Sequence, residues 1–177
     1  PKGEWEFYWK KLYYPEDFKT EPQPEMTGYL ITPGSWTELE LDGEPLPHSG
    51  YATYRLKILI DPQKKPMAVR WWMPPLAYQV YVNGQLVMKA GKVAATLDSF
   101  KYDYLHNFNP FFADTSELEM VILISEPITQ KEKGITDNRN FFIGNYSIEK
   151  KINITEYAKS FAVLATLFMF GIYHLII

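Results

Sequence analysis

The chain opens on alternation: Trp5, Phe7 and Trp9 are interleaved with Glu4, Glu6 and Lys10. The same period returns from Tyr51 to Ile60, where Ala52, Tyr54, Leu56, Ile58 and Ile60 alternate with Thr53, Arg55 and Lys57. It returns again from Ser116 to Ser125, with Leu118, Met120, Ile122 and Ile124 on one side and Glu117 and Glu119 on the other. A period of two sorts side chains onto the two faces of a strand, whereas a helix would gather residues three and four apart. These segments therefore predict strands with one apolar and one wet face. Tyr78 to Val87 contains two short β-prone runs around Asn83-Gly84, the pair that a type I′ hairpin turn favours because both central residues need positive φ.

Between the runs lies turn chemistry. Pro15, Pro22 and Pro24 mark residues 15–27 as a loop, and Gly43, Pro45, Pro47 and Gly50 mark 42–50 as another. Pro62 and Pro66 bracket a turn, Pro74-Pro75 end an aromatic strand from Val69 to Met73, and a polar excursion from Glu126 to Asn140 precedes a last strand, Phe141 to Ile148. Short strands at this spacing, with no helix of length before residue 153, predict an all-β fold: an antiparallel jelly-roll β-sandwich.

The end of the chain has a different pattern. Ser160 to Ile177 is 18 residues without Asp, Glu, Lys or Arg, apolar all round apart from Ser160, Thr166 and His174. A buried helix would show a polar stripe, and a spanning helix needs about 20 such residues, so the run predicts the start of a membrane helix. Asn153 with Glu156 three residues on forms a capping-box pattern, which places the helix start near Ile154. Lys150, Lys151 and Lys159 flank the near side and by charge alone would favour a cytoplasmic body, although a long folded domain translocates largely regardless of charge.

Composition narrows the function classes. Of the 177 residues, 46% are hydrophobic and 16% aromatic, which excludes a disordered chain. A net charge of -3 leaves no general basic field for a phosphate backbone, so nucleic acid is not an expected partner. The absence of Cys removes disulfides, thiolate metal sites and Cys nucleophiles.

Several motifs in order resemble one family. Gly3-Glu4-Trp5-Glu6-Phe7-Tyr8-Trp9-Lys10-Lys11-Leu12, Pro15-Glu16-Asp17-Phe18, Pro33-Gly34-Ser35-Trp36, Gly50-Tyr51-Ala52-Thr53-Tyr54-Arg55-Leu56 and Ala77-Tyr78-Gln79-Val80-Tyr81-Val82-Asn83-Gly84 resemble the extracytoplasmic domain of bacterial seven-transmembrane receptors with diverse intracellular signalling modules. The terminal Gly171-Ile172-Tyr173-His174 is similar to the opening of that family's first membrane helix. The same strand motifs resemble the sugar-binding jelly roll of β-galactosidase-like enzymes. The resemblance implies a galactose-binding-domain-like sensor outside the cytoplasmic membrane, periplasmic or extracellular. It would bind a carbohydrate or other small polar ligand and pass the signal through seven helices to a cytoplasmic output domain. Residues 1–150 would form the jelly roll, 151–159 a short linker and helix cap, and 160–177 the start of the first membrane helix. Partners beyond ligand and membrane would be a second copy or the receptor's own helices. Relatives follow the strand ending at Ser125 with an Asn and a His-containing loop ending in Gly-Gly. Here the run is Ser125-Glu126-Pro127, then Lys131, Lys133 and Gly134, so a different ligand chemistry is expected.

No constellation supports catalysis or a cofactor. His48, His106 and His174 lack the spacing of a zinc site, and Ser35 lacks a Gly-x-Ser-x-Gly elbow. Glu4 with Glu6 and Glu117 with Glu119 read as solvated pairs on wet strand faces, and Asp98, Asp103 and Asp114 have the residue type for calcium but not an EF-hand spacing. Aromatics beside polar groups are the stronger signal. Adjacent Trp71 and Trp72 must face opposite ways, so Trp72 shares a face with Arg70, either as a platform for a sugar or anion or as a packed pair at a domain contact. Arg55 fits a salt bridge or a ligand contact equally. Tyr102 to Phe112 mixes aromatics with Asp103, His106, Asn107 and Asn109 and reads as a loop capping one sandwich end, where binding usually sits. The candidate ligand site is thus Trp36, Arg55, Arg70, Trp72, Tyr102, His106 and Asn109. A membrane-tethered structural or protein-interaction jelly roll is the alternative.

Overall fold

The computed structural model describes residues 3–71, 76–96, 98–101, 103, 107–126, 135 and 141–176. Among these, strands β1 (Gly3–Trp9), β2 (Gly28–Thr32), β3 (Glu40–Leu41), β4 (Glu44–Pro45), β5 (Gly50–Leu59) and β6 (Gln63–Trp71) come first. They are followed by β7 (Ala77–Val82), β8 (Gln85–Ala90), β9 (Asn107–Phe108), β10 (Phe111–Ala113), β11 (Glu117–Glu126), β12 (Phe141–Asn145) and one helix, α1 (Tyr146–Ile176). A seven-stranded sheet runs β2-β1-β5-β11-β7-β8-β9, a three-stranded sheet runs β10-β6-β12, and β3-β4 form a small hairpin. Every pairing is antiparallel. The fold is the antiparallel β-sandwich that the alternation predicts, followed by a C-terminal helix.

Its core is built by the residues that alternate. Trp5, Phe7, Tyr54, Tyr78, Val80, Met120, Ile122 and Ile124 of the large sheet pack with Val69, Trp71, Phe111 and Phe141 of the small one, all buried. β11 lies between β5 and β7, so its inward side chains are sealed from both sides. Asn83 and Gly84 have φ of 48° and 80°, which makes the β7-β8 turn the positive-φ hairpin expected.

The sheet's outer face is not wet. Tyr8, Thr53, Val121 and Leu123 point away from the main core yet are buried, together with Phe18, Ala77 and Val93, beneath Leu12, Tyr13, Tyr81 and Phe100. The segments after β1 and after β8 fold over that face. Thr53 tolerates this because its hydroxyl accepts from the Tyr13 N–H at 2.9 Å and donates to the Lys11 carbonyl at 3.0 Å.

Three boundaries also move. Pro66 lies inside β6, at the irregularity between the Phe111–Met67 and Ala113–Gln63 pairs and beyond the last β12 pair, Asn145–Met67, where a missing N–H is tolerated. Residues 107–108 and 111–113 are short strands rather than loop; β9 extends the large sheet and β10 crosses to the small one. The third is the helix start. α1 begins at Tyr146, eight residues before Ile154, because Asn145 rather than Asn153 caps it: the Asn145 Oδ1 accepts from the Ser147 N–H at 3.0 Å. The last strand therefore stops at Asn145, and 151–159 is helix, not linker. Among the described residues no helix is long and apolar enough to cross a membrane.

Candidate functional site

The residues expected to share a ligand are spread over different surfaces. Trp36 starts a 3-10 turn (Trp36–Glu38) capped by Ser35, whose hydroxyl accepts from the Thr37 N–H while the Glu38 carboxylate returns to the Ser35 N–H. The indole is 0% exposed, packed 5.1 Å from the Trp9 ring, and donates its N–H to the Pro47 carbonyl at 2.9 Å. As a platform for a sugar it has no open face; Trp36 is a core residue.

Arg55 projects from the outer face of β5 between two carboxylates on neighbouring strands. Glu6 of β1 is its Cα partner, and Glu119 of β11 sits two residues from its partner Val121. Nε and Nη2 donate to Glu119 Oε1 at 2.8 and 2.6 Å, and Nη1 donates to Glu6 Oε2 at 3.2 Å. The guanidinium lies 4.5 Å from the Phe18 ring centre, and Tyr8 donates its hydroxyl to the same Glu6 oxygen at 2.7 Å. Burial works against the charged form of Arg55, but Glu119 and Glu6 outweigh it and hold the guanidinium protonated. Glu6 and Glu119 are therefore clamps rather than solvated bystanders. Replacing Arg55 with Ala should cost about 1–3 kcal/mol by leaving two half-buried carboxylates facing each other, a range lowered for their partial exposure. Urea unfolding checks this, and adding Glu119→Gln to Arg55→Ala should recover part of the loss.

Arg70 points out of the opposite side of the sandwich, from β6. Its Nε donates to Glu149 Oε2 of α1 at 2.6 Å, and its guanidinium stacks 4.6 Å from the centre of the Phe142 ring. Arg55 and Arg70 thus sit on the outer faces of two different sheets, and one small ligand cannot touch both. Asn109 lies on an exposed turn between β9 and β10, held by its N–H to the Val87 carbonyl at 2.9 Å and its side-chain amide to the Leu86 carbonyl at 3.3 Å. Trp72, Tyr102 and His106 lie outside the described residues, as do Met73, Pro74, Pro75, Lys131, Lys133 and Gly134.

Sequence reasoning passed over a polar set inside the sandwich. Glu126 ends β11 on the same face as Ile122 and Ile124 and is 2% exposed. Its parity with Leu118 to Ile124 was the available signal. The Tyr54 hydroxyl lies close enough for Glu126 and the Ile135 backbone to act on its proton, and burial is the main cause that pushes this phenol far above its usual value. The Trp5 indole nitrogen and the Thr32 hydroxyl are buried in the same sandwich without a hydrogen-bond partner among the described residues. Elsewhere, a groove of about 350 Å³ is lined among the described residues by Ile58, Ile60, Met67 and Ile143 with the polar Gln63. That lining suits an apolar group rather than a sugar. Among the described residues no three His, Asp or Glu side chains converge, and Asp98, Asp103 and Asp114 are not gathered into such a group.

No family model matches the chain, and no curated protein does. Solved structures similar to it include a β-glucuronidase from an uncultured Clostridium sp., at 18% identity over 71% of this chain and 21% of that one, with a TM-score of 0.48. The β-glucuronidase of Faecalibacterium prausnitzii is 16% identical over 71% of this chain and 20% of that one, with a TM-score of 0.46. That of Bifidobacterium dentium, complexed with coumarin-3-O-glucuronide, is 21% identical over 70% of this chain and 19% of that one, with a TM-score of 0.43. The chain spans about a fifth of the length of these proteins. The fold described above rests on its own strand pairing, and the functional reading rests on its own residues.

Proposed function

We propose that this chain is the extracytoplasmic sensory domain of a multi-pass membrane signalling receptor, with a carbohydrate or other small polar molecule as its ligand. One observation carries the reading: a strand of the sandwich runs without any intervening residue into a helix whose outer part offers apolar side chains to solvent on every side. Phe161, Leu164, Leu167, Phe168, Met169 and Phe170 are each more than 60% exposed. The sandwich does not cover this outer part, so in water it would leave a large apolar surface exposed. Side chains are described as far as His174, and the run without charge continues in the sequence to Ile177. The proposal sets this surface in a lipid bilayer, which the described part of α1 would enter without being long and apolar enough to cross it.

Sequence motifs support the sensory part of the reading, and the strand-to-helix junction supports transmission, since a flexible linker would dissipate a change in the sandwich before it reached the membrane. Ligand contact is proposed for the 102–112 segment, whose Asn109 is exposed, together with Trp72. Inserting a Gly-Ser linker between Lys151 and Ile152 in the receptor should abolish regulation of output by the sandwich; normal regulation would refute rigid coupling. Calorimetric titration of the chain with a panel of sugars should give binding that Trp72→Ala weakens. Uniform absence of binding would favour the alternative, a membrane-tethered interaction module.

A further inference from the structure

We infer that Arg70, Phe142, Gly144 and Glu149 form a clasp that fixes the angle at which α1 leaves the sandwich, making the small sheet the part of the domain that steers the helix. This rests on the reading that α1 carries a signal, but the clasp itself is a matter of geometry. Phe142 and Arg70 are Cα partners across β12 and β6, which places the phenyl ring directly under the guanidinium. One turn into α1, Glu149 folds back over the strand it has just left. Its side chain is 10% exposed and takes the Arg70 Nε–H at 2.6 Å. A carboxylate in the first turn is also favoured by the positive end of the helix dipole.

Gly144 makes this possible. A Cβ on Gly144 would come within 2.7 Å of Glu149 Oε1 and 3.5 Å of its Cδ, so the carboxylate occupies the space that any side chain at 144 would need. Glycine there is a requirement of close approach, paired across the ladder with Ala68, itself fully buried. Further along α1 the side chains of Lys150, Ile154 and Phe161 are exposed, while Tyr157, itself exposed, comes near Tyr78 of β7. The Glu156–Lys159 pair at 2.9 Å is internal to α1 and cannot orient it. An ion pair partly shielded from water, a stacked ring and a space-limited glycine thus converge on the one turn that joins sheet to helix. The helix direction follows β6 and β12, and a shift of these strands would be levered outward along α1.

Because the chain has no Cys, two introduced cysteines label cleanly. Spin labels at Leu59, which is 81% exposed, and at Ala158 on α1 report the angle between sandwich and helix as a distance distribution in the detergent-held full chain. The unaltered clasp should give one narrow peak. Arg70→Ala, Glu149→Gln and Gly144→Ala should each lose it, Arg70→Glu with Glu149→Arg should restore it, and Lys159→Ala should keep it. Glu149→Gln strands no carboxylate and leaves Arg70 on the Phe142 ring, so thermal unfolding of its sandwich should stay close to that of the parent. Every variant should remain folded at the measuring temperature, which separates steering from fold maintenance. A narrow peak that survives both Arg70→Ala and Glu149→Gln, or its loss only together with unfolding of the sandwich, would overturn the proposal. Failure of the chain to enter lipid, with the peak behaving as stated, would defeat the membrane reading and leave the clasp standing.

Discussion

Raising the pH above about 10 should unfold the sandwich steeply, at about 2.7 kcal/mol of lost stability per pH unit from two tyrosines alone. Tyr54 and Tyr78 are 0% exposed, and burial drives both phenols well above the 10.0 of a free tyrosine. For Tyr54 the Ile135 backbone pulls in the other direction and Glu126 adds to the rise; for Tyr78 the nearby Tyr157 adds to it. Between the unfolded and folded values the native state holds protons that the unfolded chain has released. Stability from these groups is therefore complete below about 10 and falls as pH climbs toward their folded values. Phenolate absorbance should rise together with loss of near-ultraviolet circular dichroism, and Tyr54→Phe should reduce the slope. Gradual ionisation of both tyrosines near pH 10 in a still folded sandwich would contradict the packing described.

Replacing Trp36 with Ala should cost about 3–5 kcal/mol, enough to unfold much of a marginally stable domain. The indole is fully enclosed, rests on Trp9 and satisfies the Pro47 carbonyl, so its removal creates a cavity and strands an acceptor. Trp36→Phe keeps much of the volume and should lose about 1–3 kcal/mol, most of it from the orphaned carbonyl. Urea unfolding distinguishes this from the role that sequence reasoning gave the residue. A Trp36→Ala protein of parental stability that failed to bind ligand would restore Trp36 to the binding site.

Much of the fold was legible because it is written at short range. The inward faces of β1, β5 and β11 follow from period two, and the β7-β8 turn follows from Asn83-Gly84. What was not legible depends on contacts distant in sequence. Thr53 reads as wet until the Lys11 and Tyr13 backbone is seen to satisfy its hydroxyl, and Val121 and Leu123 reveal the second buried face only once something covers it. The helix start was misplaced between two Asn residues that each precede a Glu. Asn153 with Glu156 has the capping-box spacing, while Asn145 with Glu149 does not, and Glu149 is secured by Arg70 from 79 positions away. The candidate site suffered for the same reason. Arg55 and Arg70 both stand beside aromatics in the sequence, but only the strand order places them on opposite sides of the sandwich with carboxylates already in hand. Glu126 could have been read from its parity in β11; the rule that carboxylates face water argued against it.

The proposed membrane attachment has the folded sandwich borne on a helix that enters a bilayer within a few turns of its start. The most direct measurement is the immersion depth of single spin labels along α1, after mixing the full chain with phospholipid vesicles and collecting the floated fraction. Labels at Ile148 and Lys151 should remain accessible to a water-soluble relaxation agent. Labels at Leu164, Phe168 and Ile172 should instead be relaxed by oxygen dissolved in the hydrocarbon, progressively deeper with position. The chain ending at Lys151 should not float at all. A helix whose labels all stay water-accessible, in a chain that remains monomeric without lipid or detergent, would contradict the account.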